Sequence, residues 1–114
     1  MQQFKTRTEV IREAADKLKI VGTGQTLEDD YANRLDINLD PLLAQLARDG
    51  ICNVVNTQYI PAEWFDPIAG LLGNVCASIA GAQFDPRIKE YYEMMLKKTT
   101  AGPATYNILE IDAF

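Results

Sequence analysis

The 114-residue sequence contains no histidine. That absence removes the commonest general base, the commonest zinc ligand and the side chain that most often changes charge near neutral pH. Cysteine is scarce too. Cys52 and Cys76 are too few for a disulfide scaffold and lack zinc-ligand spacing. Their expected place is the core, as small hydrophobes in a reducing compartment. The single serine, Ser78, lies in an apolar run, and neither it nor Cys76 has a histidine to activate it as a nucleophile. Glycine-rich phosphate loops of the common spacings are missing. Positive charge is also short: 11 Lys and Arg against 16 Asp and Glu give −5 and a pI of about 4.6. A face that neutralises phosphates needs clustered basic residues, so specific nucleic-acid binding is not expected. The longest uncharged run, Pro67 to Phe84, holds Gly70, Gly73, Asn74, Ser78 and Gly81 and lacks anchors on both flanks. It reads as a buried helix rather than a membrane span. The start, Met1 to Lys5, leads into charged residues instead of a secretory apolar stretch. These absences predict a soluble, non-enzymatic chain with no cofactor, metal or membrane partner.

What is present is ordinary globular composition, 47% apolar and 24% charged. A chain of this length fits one domain that buries roughly 65% of its unfolded surface. Val10, Ile11, Ala14, Ala15 and Leu18 share one helical face, and Thr6 with Glu9 fits a capping box. A second helix is expected from Thr26 as N-cap, with Glu28, Asp29 and Asp30 in its first turn, through leucines at helical spacing to a stop at Gly50. Pro41 should kink or restart it. Ile51 to Tyr59 reads as an extended connector or short strand. A third helix opens at Pro61 or at Asp66-Pro67, is apolar on more than one face, and carries small residues for close helix approach. Asp85-Pro86 starts a fourth, in which Ile88, Tyr91, Tyr92, Met95 and Leu96 are expected to face inward. Ala101-Gly102-Pro103 ends it. The division is a helical domain over 1–101 and a tail over 102–114.

Asp36-Ile37-Asn38-Leu39-Asp40 copies the opening of a calcium loop, but Pro41 and Ala47 stand where the turn glycine and the bidentate glutamate are needed. An acidic helix face is the better account. Carboxylates such as Glu28 and Asp29 have no apolar pocket in view that would split their pKa values for acid–base catalysis. Charge is unevenly spread. Residues 1–20 carry five bases against three acids, 21–66 two against eight, and 86–98 four against two. An acidic face (Glu28, Asp29, Asp30, Asp36) and a basic one (Arg87, Lys89, Lys97, Lys98) would suit head-to-tail pairing of copies, with ordinary surface scatter as the competing account. The tail is unusually apolar. Tyr106, Ile108, Leu109, Ile111 and Phe114 either fold back on their own core or form an arm that docks on a neighbour or partner.

The order of these signals resembles the small helical head-to-tail connectors of tailed bacteriophages, the adaptor, head-completion or packaged-DNA-stabilisation proteins. Val10–Leu18, Leu35 through Arg48-Asp49-Gly50-Ile51, Ile60-Pro61-Ala62-Glu63-Trp64-Phe65 through Ala80-Gly81, and Ile88–Thr100 carry the likeness. Pro41 and Pro67 depart from uninterrupted helices. The resemblance implies an all-α four-helix bundle with an extended carboxyl-terminal tail. It would assemble in the host cytoplasm as a ring of about twelve copies and sit in the virion neck under the portal. It also implies a portal partner, a tail or stopper partner, and double-stranded DNA passing without specific binding. An acidic channel wall would repel that DNA. A small cytoplasmic helical binding or regulatory module is the alternative from a different class.

Overall fold

In a computed structural model, residues 4–20 and 27–101 are described. They are mostly helical, with one small two-stranded sheet. Strand β1 (Phe4–Thr6) leads directly into helix α1 (Arg7–Leu18), and Thr6 closes the expected capping box with Glu9. The Glu9 N–H donates to Thr6 Oγ1 at 3.2 Å while the Thr6 N–H donates to Glu9 Oε1 at 2.8 Å. Val10, Ile11, Ala14 and Ala15 are buried, as their spacing requires.

Helix α2 (Asp29–Arg48) begins later than expected: Glu28 is its extended cap residue, and Thr26 lies outside the described residues. The helix runs unbroken through Pro41. Pro41 and Ile37 are both exposed, so the carbonyl deprived of its N–H partner lies on the side where water can take its place. Gly50, at φ +72°, supplies the left-handed residue just past the helix end, and the Ile51 N–H donates back to the Leu46 carbonyl.

Strand β2 (Tyr59–Pro61) pairs antiparallel with β1, Phe4 opposite Pro61 and Thr6 opposite Tyr59. Helix α3 (Ala62–Val75) opens at Pro61 rather than at Asp66-Pro67, and Pro67 is absorbed inside it. It ends earlier than the apolar run does, giving way to a 3-10 turn over Ala77–Ala80. Helix α4 (Pro86–Ala101) starts at the predicted Asp85-Pro86 pair.

The core lies between α1, α2 and α3, with Leu35, Leu39, Leu46, Ile60, Ile68 and Leu72 essentially inaccessible. Cys52 and Cys76 are buried and unpaired, as expected of core thiols. Gly70 lets the Tyr92 ring rest on α3; a Cβ there would lie 2.3 Å from the ring atoms. Asn74, buried at the other end of α3, makes two 2.9 Å bonds to the Asp85 backbone, one to its N–H and one to its carbonyl. This clamp fixes where α4 begins.

Candidate functional site

The expectation for α4 needs correction. Of the five residues read as inward-facing, Leu96 is fully buried and Tyr92 and Met95 are half-buried, while Ile88 and Tyr91 are exposed. Their exposures are 42% and 59%, and Met94 on the same helix (52%) and Phe84 just before it (48%) are also exposed. The reason lies in the layering. The helix packs principally on α3, so one stripe is covered and the next is left to solvent.

Basic residues lie along the same helix. Arg87, Lys97 and Lys98 are exposed, whereas Lys89 donates to Glu93 at 2.7 Å, a bond that raises its pKa. Asp85 holds the start of the helix. Its carboxylate accepts from the Arg87 N–H at 2.9 Å, and this bond chiefly lowers its pKa below the ordinary carboxylate value.

The acidic residues on α2 divide in two. Glu28 and Asp29 are exposed at its start, and Asp30 reaches Arg34 at 3.4 Å in an exposed i, i+4 pair. Asp36 instead works inside the subunit. Arg7, with only 12% of its side chain exposed, is held by the Asp36 and Asp40 carboxylates, and its guanidinium also donates to the Asp36 carbonyl at 3.0 Å. Burial alone would lower the Arg7 pKa, but the two carboxylates outweigh it and raise it. The Asp36–Asp40 run is therefore helical and clasps α1, not a calcium loop. Among the described residues no group of three or more potential metal ligands gathers, and no helix is long and apolar enough to cross a membrane. Ser78 is exposed at the 3-10 turn. Burial pushes the Cys52 thiol up to about 11 and raises Cys76 as well, so both are protonated at neutral pH.

The sequence did not suggest the pocket beside the small sheet. It has a volume of about 540 Å³ and is walled by Phe4, Val55, Tyr59, Pro61 and Trp64, with Asn53 and Asn56 at its edge. Phe4, Val55 and Tyr59 are more than half exposed. The Trp64 indole N–H is buried and, among the described residues, has no hydrogen-bond partner. The pocket forms because two three-residue strands far apart in sequence bring Phe4 and Tyr59 to one face. A period-two signal cannot be read from three residues. The tail residues Tyr106, Ile108, Leu109, Ile111 and Phe114 lie outside the described residues.

No protein-family model, curated protein or solved structure matches this chain.

Proposed function

We propose that this protein is a structural adaptor of the head-to-tail connector kind. The four helices form the bundle of one subunit, copies join in a ring on a portal, and the ring extends the DNA channel and presents a surface to the tail. The observation that carries this reading is the set of exposed apolar side chains on α4, Ile88, Tyr91 and Met94, with Phe84 just before the helix and the exposed bases Arg87, Lys97 and Lys98 along it. Exposed aromatic and aliphatic side chains along one helix suit a protein–protein contact. The exposed acids at the start of α2 provide an oppositely charged surface for the same purpose.

In this reading α4 of one subunit meets the acidic end of α2 in the next, a head-to-tail contact that closes into a ring. Asp36 contributes less to that contact than Glu28, Asp29 and Asp30, because Arg7 already engages it. An acidic channel wall lets DNA slide instead of binding it.

The direct test is to purify the protein together with the portal protein encoded by the same genome and to image the product. A ring of this chain seated on the portal supports the adaptor. A chain that stays monomeric and never co-purifies with the portal contradicts it. The pocket beside Trp64 favours one second reading, a small helical module that captures a peptide of another protein.

A further inference from the structure

We propose that the pocket beside Trp64 is the seat of the same molecule's carboxyl-terminal segment, Tyr106–Phe114. Apolar tail side chains fill the pocket. This inference does not depend on the adaptor reading.

The pocket asks for an apolar occupant. Phe4, Val55 and Tyr59 stand around it with more than half of their surface exposed, and none of its lining residues is charged. The volume, about 540 Å³, is in the range of sites that enclose a small ligand or a few side chains.

The direction of α4 brings the tail to that place. Asn74 near the end of α3 holds Asp85 at the start of α4, and Gly70 one turn earlier on α3 meets Tyr92 further along α4. The two helices therefore run antiparallel, and the carboxyl end of α4 travels toward the amino end of α3, where Trp64 sits. At about 1.5 Å per residue, α4 continues for about 13 Å beyond Tyr92, and α3 reaches back about 9 Å from Gly70 to Trp64. The chain after Ala101 thus begins near the level of the pocket along the helix axes. Extended, residues 102–114 reach about 40 Å, and they carry Tyr106, Ile108, Leu109, Ile111 and Phe114 among few charges. The segment matches the pocket in chemistry, reach and starting point.

Trp64 is the sole tryptophan, so its fluorescence reports on the pocket in the full-length protein. The experiment compares the wild type with a full-length variant carrying Ile108→Asp, Ile111→Asp and Phe114→Asp, with far-ultraviolet circular dichroism as the control for folding. The expected result is a red shift of Trp64 emission and faster acrylamide quenching in the variant, with unchanged helicity and no dependence on protein concentration. Emission identical in the two proteins overturns the proposal. A difference that vanishes on dilution assigns the pocket to the tail of a second copy and overturns the same-molecule assignment. Amide exchange adds a reading from the tail. Protection over 106–114 in the wild type, lost in Tyr59→Ser, supports the seat, and an unprotected wild-type tail refutes it. Ring assembly is measured separately by native mass, so failure here leaves the adaptor reading standing, and failure of the adaptor leaves the seat standing.

Discussion

At the scale of single residues, the contact most open to test is Gly70 against Tyr92. An added methyl would meet the ring at 2.3 Å, so the ring must swing away from α3, from Tyr91 at 5.2 Å and from Lys17 at 5.7 Å. Gly70→Ala is therefore expected to cost about 1–3 kcal/mol as overpacking. Paired with Tyr92→Ala, the same change should cost almost nothing extra, because the obstruction is gone; urea melts of the double-mutant cycle read the coupling. Asn74 makes a second case. Asn74→Ala leaves the Asp85 N–H and carbonyl without their partner, and a loss of about 1–3 kcal/mol should appear in the same melts. The core thiols were legible from composition alone. With burial holding Cys52 up to about 11, a thiol reagent at neutral pH should label native protein far more slowly than protein in denaturant. The small residues of α3 were legible as a site of close approach. Their partner, Tyr92, was not, because helix spacing shows which face is narrow and says nothing about which neighbour fills it.

At the scale of elements, helix starts and stops were the most readable feature where a side chain closes the end. Thr6 with Glu9, Gly50, and Asp85 before Pro86 all sit where their chemistry demands. At Pro41 the helix does not restart, because on the exposed side of α2 water can take the place of the lost partner. The β1–β2 pair was hidden for a different reason. Its three residue pairs join segments more than fifty residues apart, and no local pattern encodes that meeting. The caps also fix how the fold responds to acid. Glu9 and Asp85 both have lowered pKa values, through hydrogen bonds from Thr6 and from the Arg87 backbone respectively. A lowered folded value means the stabilisation is complete above the ordinary carboxylate pKa and is lost as pH falls through the folded value. Urea midpoints should therefore drop below about pH 4, and Asp85→Asn should show a smaller drop over the same interval than the wild type.

At the scale of the whole molecule, the uneven charge read from the sequence acquires a partial assignment. Some of it is internal, since Asp36 and Asp40 hold Arg7 and Asp66 holds Lys17 at 2.8 Å. The rest stays on the surface at the start of α2 and along α4. Ile88 and Tyr91 were misread as inward-facing because helical periodicity counts apolar residues without knowing how many sides a helix has covered. A fourth helix packed principally on α3 leaves one face exposed. The measurement that bears most directly on the adaptor account is the native mass of the purified chain, wild type beside Ile88→Asp/Tyr91→Asp, across concentration. The account predicts a closed ring of defined copy number for the wild type and a folded monomer for the variant. A wild type that remains monomeric at every concentration, with or without its portal, would contradict it.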